Sequence, residues 1–249
     1  MQIIDSHMHC GIQNSDLPFE VISPLLENAG IIGACLFAPV EDIYDRYNFS
    51  FQDNEEWIQT RRAANHYLLD LATRTESIFP YLFVWNDFAI EELQQEYCGI
   101  KWHRHDNEPV YHYEDPRCGQ IIQEISERRL PIVLEESFTN TCRFLEELAP
   151  QAVVIIPHLG ALNGSYPALE RAGIWQRPHT YADTALAPIE HMRHFVQHYG
   201  PERLLFGSDF PFGAPGHELR KVEALNLPSM DLEKILSGNL LGLIDDIGN

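Results

Sequence analysis

Asp5-Ser6-His7-Met8-His9 sets two imidazoles two residues apart at the close of the first apolar run. In an extended chain residues i and i+2 project to one side, so His7 and His9 can converge on a point and act as a pincer for a metal ion. The same pattern also arises as two ordinary polar residues at a strand end. Two further residues bear on the choice. His158 follows the apolar run Val154-Ile155-Ile156-Pro157 and is itself followed by Leu159-Gly160, while Asp209 closes Leu204-Leu205-Phe206-Gly207-Ser208. A lone histidine is often a satisfied structural group, and a carboxylate after a Gly-Ser turn is often a helix cap. No helical pattern starts directly after Phe210-Pro211, which weakens the capping role for Asp209.

These residues need a scaffold, and the pattern of apolar runs supplies one. Strands are expected at Gln2–Asp5, Gly33–Phe37, Phe79–Val84, Gly99–Trp102, Pro131–Leu134, Ala152–Ile156, His179–Ala182 and Arg203–Phe206. Amphipathic helices are expected between them, at Pro18–Asn28, Glu55–Thr75, Ile90–Tyr97, Pro116–Arg128, Asn140–Leu148, Tyr166–Ala172, Pro188–Tyr199 and His217–Leu225. Pro116 and Pro188 suit first helical turns, and Gly30 and Gly200 suit helix exits. Eight β-α units in 249 residues predict an α/β fold, a single (β/α)8 barrel of the TIM type filling residues 1–249 as one domain. An open doubly wound sheet fits the same alternation, but no glycine-rich phosphate loop follows the first strand. The longest irregular stretches, Pro39–Asn54 and Arg104–Asp115, follow the second and fourth strands and are candidate lids over the barrel mouth.

Composition narrows the partners. With 17 Lys and Arg against 37 Asp and Glu, the formal net charge is −20, which argues against nucleic acid and against an anionic membrane surface. No apolar run is long enough to span a bilayer and no signal-peptide pattern opens the chain, so the cytoplasm is the expected location. The five scattered cysteines fit reduced thiols better than a disulfide framework. A small-molecule substrate is the expected partner, and a homo-oligomer is compatible with the sequence.

Taken together, His-x-His at the first strand, PHLG at the sixth, LLFGSDFP at the eighth and the terminal ILSGNLLGL resemble the metal-dependent amidohydrolase superfamily. Within it the chain is most similar to the amidohydrolase-related (amidohydrolase 2) family, which includes the aminocarboxymuconate-semialdehyde decarboxylase type. GIKWH at the fourth strand and LPIVLEES at the fifth extend the likeness over nearly the whole chain. The resemblance implies a distorted (β/α)8 barrel with one divalent metal, often zinc, held by His7, His9 and Asp209 beside a water. It further implies that His158 positions or deprotonates that water or polarises the substrate, and that Asp209 both ligates and shuttles a proton. A divalent ion lowers the pKa of bound water to about 7, so such an arrangement can attack a carbonyl.

The fifth strand departs from that pattern. The family's metal-binding histidine aligns with Glu135, and two imidazoles with two carboxylates make a harder site that Mn2+ or Fe2+ also suits. Adjacent strand residues point opposite ways, so only one of Glu135 and Glu136 can face the centre. We expect it to be Glu135. Lys101 and His103 share a face of the fourth strand and are candidate substrate-binding residues, His103 for a substrate carboxylate. In binuclear relatives a fourth-strand lysine is carbamylated and bridges two metals, whereas the GIKWH context resembles the mononuclear branch. His105 and His112 are expected in solvated loop positions, Trp85, Trp102 and Tyr181 as packing groups, and Asp183 as a group orienting a ligand histidine.

Three functions follow. The first is a metal-dependent hydrolase acting on an amide, ester or lactone of a small molecule. The second keeps barrel and metal but performs nonoxidative decarboxylation of an unsaturated or aromatic acid, and requires a cation near the metal, for which Arg46, Arg61, Arg104 and Arg177 are candidates. The third is a barrel without catalysis that serves as a binding protein. The retention of His7, His9, His158 and Asp209 weighs against the third.

Overall fold

The computed structural model describes residues 1–248. Eight strands run parallel in sequence order: β1 (Ile4–His9), β2 (Gly33–Phe37), β3 (Ile78–Phe83), β4 (Gly99–His103), β5 (Ile132–Glu135), β6 (Val154–Ile156), β7 (Thr180–Asp183) and β8 (Leu204–Leu205). Hydrogen bonds then join the last strand region to the first. Ser6 N donates to Phe206 O at 2.8 Å, Asp209 N to His7 O at 2.7 Å and His9 N to Phe210 O at 2.9 Å. The sheet thus curls into the (β/α)8 barrel that the alternation predicted. No helix among the described residues is long and apolar enough to cross a membrane.

Alternation along each strand sorts the side chains into two cores. On β4, Ile100 and Trp102 join the layer beneath the helices, and on β5 Ile132 and Leu134 do the same. The inward set from Cys35, Phe37, Tyr81, Val133, Ile155 and Leu205 fills the barrel floor. The polar groups Lys101, His103 and Glu135 continue that inward row toward the carboxyl ends, which is how a period of two delivers chemistry to one end of a barrel.

The helices between strands are α1 (Phe19–Ala29), α2 (Glu55–Arg74), α3 (Pro116–Glu127), α4 (Phe138–Arg143), α5 (Tyr166–Arg171), α6 (Ile189–Tyr199) and α7 (Pro215–Glu223). Their starts carry local signals. Asn54 caps α2 by accepting from Trp57 N, and Asp115 caps α3 by accepting from Arg117 N with Pro116 in the first turn.

Four segments differ from expectation. β1 runs on to His9 through an irregularity between Asp5 and Met8, because Met8 and His9 pair with Leu36 and Phe37 of β2. Both histidines therefore lie within the strand. The segment 90–97 forms only a 3-10 turn, Ile90–Gln94, before β4 begins. The helix expected at 140–148 starts earlier, where Ser137 accepts from Asn140 N, and ends in a π-turn at Phe144–Leu148. Beyond 225 the chain forms α8 (Ser229–Glu233), a π-turn and α9 (Asn239–Asp245), and Leu240 and Leu243 of α9 close the barrel floor.

Candidate metal centre

Two pieces of unusual backbone set the upper rim of the site. After β6, His158 (φ 57°) and Leu159 (φ 48°) both take left-handed conformations, and after β8 so does Asp209 (φ 57°). Such geometry is unfavourable outside glycine and persists only where surrounding contacts fix it. Here those contacts are explicit. His158 N donates to Asp183 Oδ1 at 2.9 Å and its Nδ1 lies 3.0 Å from Ala185 O, so Nδ1–H is the donor and Nε2 faces the barrel axis. Gly207 is required just before Asp209, since a Cβ there would stand 2.9 Å from His7 Cβ.

His7 is oriented by Asp183. Its Nδ1 lies 2.7 Å from Asp183 Oδ2, so Nδ1–H donates to the carboxylate and the Nε2 lone pair is presented inward. Burial, aided by the Lys101 charge beside it, holds the His7 imidazole well below its ordinary pKa and keeps it neutral. His7 Nε2 is 3.4 Å and His9 Nε2 3.3 Å from Asp209 Oδ1. Burial would raise the Asp209 pKa, but the hydrogen bond from His9 and the surrounding imidazoles of His7, His9 and His158 bring it down to about 2.

The separations allow a direct test of fit to a cation. Ligands at about 2.0–2.2 Å in a tetrahedron stand roughly 3.3–3.6 Å apart. The two His-to-Asp209 separations, and the 3.5 Å between His158 Nε2 and Glu135 Oε2, fall in that interval. Ligating atoms of His7, His9 and Asp209 form one cluster, and those of His7, Glu135 and His158 form another, sharing His7. His7 and His9 together with the carboxylates of Asp209 and Glu135 form a donor set that fits a divalent ion.

Adjacent carboxylates on β5 separate as alternation requires. Glu135 turns inward, with Oε2 3.3 Å from Lys101 Nζ and Oε1 3.2 Å from His103 Nε2. Burial opposes its ionisation, yet the charges of His103 and Lys101 and the hydrogen bonds from His103 and His105 hold it well below the usual carboxylate range. Glu136 points into the helix layer, where it accepts from Arg104 Nη1 (3.2 Å), Tyr113 Oη (2.9 Å) and Ser137 N (2.6 Å).

The remaining candidates are sorted by place. Lys101 is fully buried against His7 and Glu135 rather than exposed to a substrate, while His103 lines the cavity. His105, expected in solvent, instead donates from Nε2 to Glu135 Oε1 at 2.6 Å. The signal was present in the sequence: Lys101, His103 and His105 continue one period-two row past the strand end. Of the four arginines, Arg61 is tied to Asp53 and Asp87, Arg104 to Glu136, and Arg177 lies at the opposite end of the barrel near Pro150 and His179. Arg46 alone of the four lines the cavity.

That cavity, of about 170 Å³, is bounded by His9, Arg46, His103, His105, Glu135, His158 and Asp209 on its polar side and by Val40, Leu162, Leu186 and Phe212 on its apolar side. A neighbouring space of about 270 Å³ shares His9, Val40, Arg46 and Phe212. Both expected lids border it and are fastened by carboxylates. Glu108 accepts from Arg46 Nε (2.7 Å), Tyr44 Oη (2.8 Å) and His105 N (2.9 Å), joining the loop after β2 to the loop after β4. Asp42 accepts from Asn14 N (2.7 Å) and Ser15 N (3.0 Å), joining the loop after β1. His158 stands between the carboxylates: burial disfavours its charge, but Glu135, Asp183 and Asp209 raise its pKa to about 9.

Comparison with known proteins places this geometry. Residues 4–239 match the amidohydrolase family model. Among solved structures, 5-carboxyvanillate decarboxylase from Sphingomonas paucimobilis superposes with a TM-score of 0.77 at 12% identity, covering 98% of this chain and 99% of that one. Dihydroxybenzoic acid decarboxylase from Polaromonas sp. JS666, solved with bound manganese and 2-nitroresorcinol, gives 0.74 at 15% identity, covering 98% and 97%. A Pseudomonas putida protein assigned as a 2-pyrone-4,6-dicarboxylic acid hydrolase gives 0.72 at 17% identity, covering 98% of each chain. At these identities the likeness is one of fold. No curated protein sequence matches the chain. The family match over nearly the whole barrel nevertheless decides the affiliation: the chain belongs to the amidohydrolase family.

Proposed function

We propose that this protein is a metal-dependent decarboxylase that removes CO2 without oxidation from a small aromatic or unsaturated carboxylic acid. The observation that carries the reading is Arg46, a cation lining the same cavity as His158, Glu135 and Asp209. Decarboxylation needs the substrate carboxylate held and a proton delivered to the carbon it leaves. Arg46 suits the first task and His158 the second, since its Nδ1–H is held on Ala185 O and its Nε2 faces the cavity. The decarboxylases of 5-carboxyvanillate and dihydroxybenzoic acid among the similar structures support this choice over hydrolysis.

His7, His9, Asp209 and Glu135 would hold the metal, and the manganese in the Polaromonas enzyme supports Mn2+ beside Zn2+ as the ion. When bound, the ion supplies a Lewis acid for an oxygen of the substrate. The chain's own groups do the rest. Val40, Leu162, Leu186 and Phe212 form the apolar side of the cavity, against which the acid's apolar body would rest. Arg46, kept in place by Glu108, would exchange its Nη1 contact with Glu41 for the carboxylate. As the carbon–carbon bond breaks, the electron pair stays on the substrate carbon and His158 Nε2–H supplies the proton that quenches it. In this role His158 is the acid, where hydrolysis would need it as the base.

The test is a panel of one-ring aromatic and conjugated acids, lactones and esters given to the Mn2+- or Zn2+-loaded protein, with CO2 release and acid production followed separately. Metal-dependent CO2 release that is lost in Arg46→Ala is expected. Lactone or ester cleavage without CO2 would return the hydrolase reading, and a metal-loaded protein inert toward every class would favour a binding role.

A further inference from the structure

Lys101 is the one ammonium inside the barrel's polar row, and two of its contacts are groups of the proposed donor set. Its Nζ lies 3.1 Å from His7 Nε2 and 3.3 Å from Glu135 Oε2, and 4.9 Å from the centre of the Phe37 ring. Its side chain has no exposure to solvent. Because Asp183 takes the Nδ1–H of His7, the Nε2 atom facing Lys101 carries the lone pair, and it accepts from the ammonium. The lone pair that would bind an ion is therefore already used. Glu135 Oε2 accepts from the same ammonium, which offsets the negative charge an ion would otherwise meet.

We infer that Lys101 is an internal cation that competes with the metal for His7 and Glu135, so that loading the centre requires its ammonium to give up both contacts. This rests on the metal-binding part of the reading above and is independent of whether the reaction is decarboxylation or hydrolysis. Two physical terms point the same way. The buried carboxylate of Glu135 needs a counter-charge when no ion is held, and Lys101 supplies one. A divalent ion and an ammonium a few ångströms apart repel strongly in a buried setting, so the lysine lowers metal affinity in proportion to how well it stabilises the metal-free centre. The glutamate at the fifth strand and the lysine at the fourth thus form a matched pair. Glu135 offers the metal an anionic ligand, and Lys101 keeps that anion from destabilising the barrel before the metal arrives.

The experiment compares full-length wild type, Lys101→Met and Lys101→Gln, each stripped with a chelator and retitrated with Zn2+ and Mn2+ against a chromophoric competitor, with and without added bicarbonate. Thermal unfolding is recorded with and without metal. Lys101→Met should bind metal at least about tenfold more tightly, unfold at a lower temperature than wild type when metal-free, and recover when loaded. Lys101→Gln keeps N–H donors without the charge; it should show the same gain in affinity with a smaller loss of metal-free stability, and it decides the matter if the methionine variant does not fold. Equal or weaker metal binding in the variants would overturn the inference, as would wild-type binding that strengthens with bicarbonate, because Lys101 would then act as a carbamate ligand. Absence of divalent binding in all three proteins would overturn the metal centre itself.

Discussion

Replacing Asp183 by Asn changes few atoms but reverses one proton. Asp183 Oδ1 accepts from His158 N (2.9 Å) and Ala185 N (3.1 Å), and Oδ2 faces His7 Nδ1 at 2.7 Å. Asparagine can keep its oxygen on the two backbone N–H groups, which turns its NH2 toward His7. Two donors cannot face each other, so the His7 proton moves from Nδ1 to Nε2 and the inward lone pair is lost. Loss of such an outer partner costs about 10–100-fold in metal affinity, or roughly 1.4–2.7 kcal/mol. The affinity is read by competition titration of stripped Asp183→Asn against wild type, with circular dichroism confirming the fold. The tautomer is read from 15N shifts of labelled histidine in the metal-free proteins. Wild-type affinity together with a retained Nδ1–H on His7 would refute the reasoning.

Three further outcomes are expected. His158→Asn should retain metal while turnover falls by about 10² to 10⁴, the usual loss for a proton-transfer group; loss of metal in step with turnover would make His158 a ligand. Glu135→Ala should weaken metal binding, whereas Glu136→Ala should leave it unchanged and instead destabilise the fold by about 3–5 kcal/mol in denaturant titration, because Arg104 is left buried without its partner; the reverse assignment of effects would show that the wrong carboxylate faces the centre. In the metal-free protein, His158 has its pKa raised from 6.5 to about 9 by neighbouring carboxylates. Its stabilising contribution is full below pH 6.5 and is lost as pH rises through 9, so the stability gap between wild type and His158→Asn should narrow by about 3 kcal/mol between pH 6 and pH 10. A gap independent of pH would contradict a charged His158.

Much of this could be read before folding because period-two alternation acts on each strand by itself. That logic required Glu135 and Glu136 to point opposite ways and put Lys101 and His103 on one face, while the family resemblance chose Glu135 as the inward one. It fell short where a tertiary contact extends a pattern: β1 lengthens to His9 only because β2 and the Phe210 segment pair with it. His105 does lie in a loop, as expected, but its half-buried hydrogen bond to Glu135 went unseen because the period-two row from Lys101 and His103 was not followed past the strand end. The choice among the four arginines was equally closed to sequence, since Arg46 differs from Arg61 and Arg104 only in which cavity or carboxylate the folded loops set beside it. The short C-terminal helices carry too few residues for a clear period, and their role as the barrel floor depends on Leu240 and Leu243 meeting strands far away in the chain.

His9 and Asp209 stand on opposite sides of the seam where the first strand meets the last, and β8 is only two residues long. An ion shared between them, as proposed, would be a cross-link that ties most of the chain into one ring. By the loop-closure relation, a ring of this length removes about 5 kcal/mol of freedom from the unfolded chain. The seam is otherwise where a barrel would begin to unzip, since it relies on a handful of backbone bonds and carries both ends of the sheet. A protein loaded in this way would have to release its ion before the first and last strands could part, and metal dissociation would become the gate to unfolding. Catalytic competence and resistance to proteolysis would then be lost in a single event rather than in sequence.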